Sequence, residues 1–397
     1  MRSVEEALDA ILAGARLTGV ETLPLDRCVR RVAAEPRVLA AVDVPPFDNS
    51  SMDGFALRAA DAPGVLRLIG EIAAGASSLP NVEAGATARI MTGAPLPPGA
   101  DAVAPLEVVQ EVGDEVRMPA VAPGAFVRRA GHDTRAGDSF ELPAEPLGPA
   151  AIAVLASLGI GELPIRLRPR VAILSTGDEL RSPGEELGPG QIHDANTVAL
   201  AAAVEEAGGE PLVLPRAPDD PARIEALIAA ALDQAELLVA SGGVSVGRHD
   251  HVREVIERLG SLDFWRIRMQ PGKPLAFGRI GQVPVIGLPG NPVSALVTFE
   301  LFGRPLIRRM LGLSGSGRAT LPAVACEQMS KDRERRAYLR VRVSQGAHGL
   351  EARSAGGQAS SQLRPLADSN ALLIVPEGEP AAEAGRTYDA LLLGAIG

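Results

Sequence analysis

Cysteine is almost missing from this 397-residue chain: only Cys28 and Cys326 occur, with no CxxC and no neighbouring histidine pattern. That excludes a disulfide framework and a cysteine zinc site, and a reducing, cytoplasmic setting is expected. Aromatic residues make up only 3%, so stacking platforms for single-stranded nucleic acid are nearly absent and burial must come from Ala, Val, Leu and Ile. Positive charge is also short, with a formal net charge of −10 and a pI near 5.2. Nucleic acid and anionic membrane are thereby disfavoured as partners, since both need a basic face. The N-terminus lacks the basic start and unbroken apolar core of a signal peptide, because Glu5, Glu6 and Asp9 interrupt it. Uncharged runs are scarce too. Residues 280 to 299 carry no charge over 20 positions, but Pro284, Pro289, Pro292, Gly287 and Gly290 fall within them. A buried strand, a turn and a helix start fit that run better than a membrane span.

Glycine and proline are abundant instead, with 43 and 33 copies, about a fifth of the chain. Turns this frequent place the chemistry in loops, and at roughly 150 residues per domain the length predicts several domains. Ser3 and Glu6 stand at capping-box spacing before a stripe of Val4, Ala7, Leu8, Ile11 and Leu12, which predicts an amphipathic helix. Residues 42–136 read as short strands between turns. Residues 149–159 return to helical composition and are expected to pack on the N-terminal helical segment, making the β-rich module an insertion. From Arg168 onward, unalternated apolar runs alternate with helical segments, the pattern of a doubly wound α/β domain with a mostly parallel sheet. "GLSGSGR", residues 312–318, reads as a linker, followed by short alternating strands of a small β domain. The expected partition is 1–41 with 137–165, then 42–136, 166–312 and 318–397.

Ligands of such α/β sheets bind outside the carboxyl ends of the strands. Three loops qualify. "STGDEL" offers Ser175, Thr176 and Gly177 for close approach to an anion, and Glu179 as an acceptor or cation ligand; by itself it reads equally as an ordinary turn. "SGGVSVGRHD" combines Ser241, Gly242, Gly243 and Ser245 in a loop suited to phosphate, closed by Asp250. Asp250 suits Mg²⁺, which takes few carboxylates and retains water. "RIRMQPGKPLAFG" supplies Arg266 and Lys273, the latter set between Gly272 and Pro274. "GLPGNPVSA" places Pro289 and Pro292 before a helix carrying Ser294. Together these loops describe a site for a phosphate-bearing ligand beside a second oxyanion.

"FDNSSMDGFALR", "RIMTGAPLPPGADAV", "GHDTRAGD", "VAILSTGDEL", "SGGVSVGRHD", "QPGKPLAFG" and "GLPGNPVSALVTFE" occur together and in this order. Over essentially its whole length the chain resembles the molybdopterin molybdenumtransferase family, which inserts molybdate into adenylylated molybdopterin. The resemblance implies a C-terminal β-barrel-like domain and an elongated homodimer whose active site is shared between subunits. It implies Asp53, Thr92 and Asp133 as site residues from the β-rich module, and Glu179, Asp219 and Asp250 from the α/β domain, with Mg²⁺ held near Asp250 and Glu179. Molybdate would be held by Lys273, Ser294, Arg335 and Ser360. Other molybdenum-cofactor synthesis proteins are implied as partners. Gln270 stands where the family often has lysine, and Glu334 replaces a glycine before Arg335, so Arg335 and Arg336 are interchangeable candidates. Two alternatives remain on sequence grounds: a molybdopterin adenylyltransferase, disfavoured by the extra domains, and a non-catalytic cofactor carrier or scaffold, disfavoured by the intact carboxylates.

Overall fold

A computed structural model describes residues 1–218, 220–242, 251–315 and 317–396. The chain forms two compact units, Thr22–Ile165 and Met1–Glu21 with Arg166–Gly397.

The first unit is built on a six-stranded sheet whose order is Ala102–Pro105, Gly54–Leu57, Ala86–Ile90, Gly64–Ile72, Glu115–Met118 and Gln110–Val112. Alternation along the strands separates two cores. Phe55, Leu57, Ala102 and Ala104 belong to one, while Ala56, Ala88, Ile90 and Val103 belong to the other. Gly54 is obligatory at its position, because a Cβ there would lie 2.1 Å from the Ala104 carbonyl oxygen. Helix Pro149–Ser157 starts with proline in its first turn and packs against the turn at Leu25–Arg27. Cys28 is buried in that cluster with Leu25, Leu155 and Ile165, where it acts as a small apolar side chain.

The second unit contains another six-stranded sheet, ordered Glu210–Val213, Arg170–Ser175, Leu237–Ser241, Val283–Leu288, Pro274–Ile280 and Ser261–Arg266. The first four strands are parallel and the last two pairings are antiparallel. Only Gly281 and Gln282 separate Ile280 from Val283, too few residues for a parallel crossover, so the chain turns back as a hairpin. The uncharged run is thus a strand, a turn and the helix beginning at Pro292. Among the described residues, no helix is long and apolar enough to cross a membrane. Helices Pro221–Leu232 and His251–Leu259 cover Ala172, Leu174, Leu238 and Ala240. Helix Ala195–Ala207 packs on the Arg170–Ser175 strand and on helices Pro292–Thr298 and Arg304–Met310.

Helix Val4–Leu12 has the expected capping box, with the Ser3 hydroxyl accepting from Glu6 N and the Glu6 carboxylate accepting from Ser3 N. Its buried face, Val4, Ala7 and Ile11, packs against helix Arg304–Met310 and the π-helical turn Phe299–Gly303. Residues 149–157 pack instead on Leu25–Arg27, also within the expected 1–41 segment. The apolar stripe was correctly legible, but its periodicity carries no information about which surface covers it.

Beyond the linker, Arg336–Gly346, Gly349–Ser354, Thr320–Ala325, Thr387–Leu392 and Ala371–Val375 pair in succession, and the last pairs back with the first to close a five-stranded barrel. Ala337, Leu339, Val341 and Val343 point into its core. Met269–Gln270, from the α/β region, pairs in parallel with Arg336–Ala337.

Candidate functional site

In the second unit, loops of the α/β region and the barrel line a cavity of about 360 Å³. Lys273, Pro289, Ser294, Arg335 and Ser360 are at its wall, as are Gln270, Tyr338 and Arg340. Five residues nominated from separate sequence segments therefore meet in one place. Gly272 has φ +98°, and a Cβ there would come within 2.4 Å of the Thr298 hydroxyl, which accounts for glycine beside the lysine. Ser294 is buried in the first turn of its helix. The Asn291 amide donates to the Ser360 hydroxyl at 3.4 Å, joining the α/β loop to the barrel. Pro292 opens the helix but does not line the cavity, and the Arg266 side chain is exposed and also outside the lining. Arg335 is at the wall with its guanidinium paired to Asp332. Arg336 instead pairs with Glu5 and Glu377. The two adjacent arginines are therefore not interchangeable.

Arg340 is the residue the sequence reading missed. Its side chain is completely buried, its Nη2 donates to the carbonyl oxygens of Gly357 and Ala359 at 2.9 and 3.2 Å, and its Nε and Nη1 have no partner among the described residues. Its backbone is pinned by reciprocal bonds with the Gln358 amide, at 2.9 and 3.0 Å. Burial pulls its pKa below the usual arginine value. A guanidinium with donors left unmatched in a dry wall is unfavourable. The lining, with Lys273, Arg335, Ser294 and Ser360, is rich in the cationic and hydroxyl donors that a compact oxyanion can accept from.

The strand-end loops lie in the same unit. Ser175 and Ser241 are register partners on adjacent parallel strands, so their loops emerge at one level. Thr176 is buried and bridges to Ala217, Gly242 has φ +80°, and a Cβ on Gly177 would collide with the Glu179 carboxylate. Asn196, a second residue not found by motif, ties this group together: its amide donates to the Ser241 hydroxyl and the Gly290 carbonyl, both at 2.8 Å. Its buried Oδ1 has no partner among the described residues. Glu179 is exposed. Asp219, Gly243, Ser245 and Asp250 lie outside the described residues, so the Mg²⁺ assignment to Asp250 and Glu179 has only Glu179 on view. Among the described residues, no group of three His, Cys, Asp or Glu side chains is placed to hold a metal ion.

In the first unit, Asp53 and Thr92 meet at the ends of adjacent strands. Asp53 Oδ1 accepts from both the Thr92 hydroxyl and the Thr92 N–H at 2.7 Å. These bonds, the hydroxyl's first, hold the exposed Asp53 carboxyl below its ordinary pKa. Asp133 is exposed on a neighbouring loop of the same unit, with its N–H bonded to the Val44 carbonyl at 2.9 Å.

Comparison with known proteins covers all three regions. A model described as the MoeA N-terminal region (domain I and II) matches residues 2–159, a probable molybdopterin binding domain matches 172–309, and the MoeA C-terminal region (domain IV) matches 322–393. Molybdopterin molybdenumtransferase 2 of Mycobacterium tuberculosis is 38% identical over 97% of this chain and 98% of its own length. The chain belongs to the molybdopterin molybdenumtransferase family. Another member, the molybdopterin molybdenumtransferase of Haemophilus influenzae, is 36% identical over 93% of both chains. A crystal structure of the molybdopterin biosynthesis MoeA protein from Pyrococcus horikoshii superposes with a TM-score of 0.84 at 29% identity, covering 99% of this chain and all of that one. The family match thus extends across the oxyanion cavity, the strand-end loops and the Asp53–Thr92 pair.

Proposed function

We propose that this chain is a transferase that inserts molybdate into adenylylated molybdopterin with release of AMP, completing the molybdenum cofactor. The observation that carries the reading is the cavity in which Lys273, Arg335 and the unmatched Arg340 converge with Ser294 and Ser360. Molybdate is a compact tetrahedral dianion, and cations with hydroxyl donors are the groups that bind such a ligand in preference to water. The adenylylated pterin is assigned to the strand-end loops, where small residues and Asn196 leave room for phosphate oxygens and ring donors. The dithiolene sulfurs that take up the metal belong to the pterin. The protein needs no cysteine for this step, in keeping with Cys28 being buried in the first unit. Its contribution is proximity and fixed charge: Lys273 and Arg340 hold the oxyanion facing the sulfurs while the phosphoanhydride bond breaks.

Mg²⁺ belongs to the same proposal. Glu179 provides the hard oxygen donor such an ion prefers and Asp250 would complete the pair; the ion would neutralise charge on the pterin phosphates. The four-part domain organisation, a doubly wound character for the α/β domain, and a homodimer with Asp53, Thr92 and Asp133 serving the partner's site are likewise our reading, supported by the family resemblance. The test is direct. Purified protein is given adenylylated molybdopterin, molybdate and Mg²⁺, and AMP and metal-loaded cofactor are measured. Molybdate-dependent AMP release is expected; pterin binding without it would identify a carrier, and synthesis from ATP and free molybdopterin would identify an adenylyltransferase.

A further inference from the structure

The wall of the oxyanion cavity is tied to the first residues of the chain, and the proposed chemistry makes no use of that tie. Arg2 N donates to the Arg266 carbonyl and Arg268 N donates to the Arg2 carbonyl, each at 2.9 Å, so Arg2 bridges in parallel with Ile267. The Arg2 guanidinium lies over the Trp265 ring, 4.2 Å from its centre. Arg268 is held at its other end as well, its carbonyl accepting from Arg336 N at 2.9 Å. The segment fixed in this way leads directly into Gln270, Gly272 and Lys273 of the cavity wall.

A second tie runs through side chains. Glu5 accepts from Nη1 of Arg336, and Arg336 Nε lies 3.3 Å from Glu377. Arg336 is two residues from Tyr338 on the same face of the strand, and Tyr338 lines the cavity and precedes Arg340 on that face. Since two carboxylates already match the Arg336 charge, this residue is not a further oxyanion ligand. Its place between Glu5 and Tyr338 suits another role.

We propose that residues Arg2–Glu5 form a strap that sets the geometry of the oxyanion cavity, with Arg336 as the positioning residue linking Glu5 to the Tyr338–Arg340 wall. The inference rests on the oxyanion reading of the cavity. It concerns binding of the oxyanion alone, because the tied segments carry cavity residues and none of the strand-end loops assigned to the pterin.

Two readouts on full-length Glu5→Gln, Arg336→Gln and Arg336→Lys test it: calorimetric binding of molybdate and of adenylylated molybdopterin, and hydrogen exchange of the amides of residues 268–273. Glu5→Gln is expected to weaken molybdate binding about threefold to fivefold, the size of one half-exposed ion pair. Arg336→Gln, which loses both carboxylates, is expected to weaken it roughly tenfold, and Arg336→Lys to recover most of that loss. Exchange at 268–273 should accelerate in the same order while pterin binding stays constant. Unchanged exchange in both glutamine variants would overturn the strap, as would equal losses of both ligands, which would mark a merely structural tie. Accelerated exchange in a protein whose wild type does not bind molybdate would remove the oxyanion reading and leave the strap as a constraint on this wall.

Discussion

The Asp53–Thr92 pair and the Arg340 wall solve opposite electrostatic problems. Asp53 is an exposed carboxylate whose charge is supported by neutral donors on the next strand. Water screens it, so it stays ionised at little cost whether or not a ligand is present. Arg340 is a buried cation with two donors that no described residue matches. The first arrangement is a standing charge aimed at solvent, and the second is a charge held in a dry wall with an incomplete set of partners among the described residues.

The comparison is broken most sharply at Arg340 itself. Arg340→Met should reduce molybdate-dependent turnover by about 10²-fold to 10³-fold, as loss of a fixed charge at a reacting centre does. The same variant should be as stable as wild type without ligand, or more stable by about 1–4 kcal/mol, since an uncompensated buried charge has been removed. Calorimetric melting with and without molybdate checks both halves, and a Tm drop in the ligand-free variant would show that Arg340 is satisfied after all. Lys273→Ala should lower turnover by roughly 10²-fold with adenylylated pterin still bound, measured by AMP release and by pterin binding. Next is Gly54, which supports the strand entering the Asp53 loop. Gly54→Ala should destabilise the protein by about 3 kcal/mol or more in denaturant unfolding, because the new Cβ meets backbone that cannot retreat.

The smallest effect is at Thr92. Asp53 has a depressed pKa in the folded protein, so its contribution to stability is present above the ordinary carboxylate range and is lost as pH falls through the folded value. Thr92→Ala should raise the Asp53 pKa toward its ordinary value, read by carboxyl NMR titration, and flatten that acid-side loss. An unchanged titration would remove the distinction drawn here between supported and unmatched charge.

Much of this was readable beforehand, for local reasons. The Ser3–Glu6 capping box, the strand, turn and helix across residues 280–299, and the glycine two residues after Ser175 are set by neighbours within a few positions. Five cavity residues, Lys273, Pro289, Ser294, Arg335 and Ser360, were found because their motifs are contiguous. Arg266 lies outside this cavity's lining, because a cationic cluster in sequence says nothing of which side chains turn to one side. Asn196 carries no motif of its own in the reading made here, and its role comes from touching Ser241 and Gly290, which are far away in the chain.

Arginine supplies the clearest boundary between the two kinds of knowledge. "RRAYLRVRV" has charged residues at alternating positions, which by periodicity is the solvent face of a strand, and Arg342 is indeed exposed. Two residues earlier on the same face, Arg340 is fully buried, because Gly357 and Ala359 fold over it and the Lys273 and Ser294 loops close the other side of the cavity. Sequence by itself determined the family, the loops that carry the chemistry and the side of the strand on which each arginine lies. Only tertiary structure decided which arginine is exposed, which is paired and which is buried with donors unmatched, since burial and charge matching depend on segments that meet only when the chain is folded.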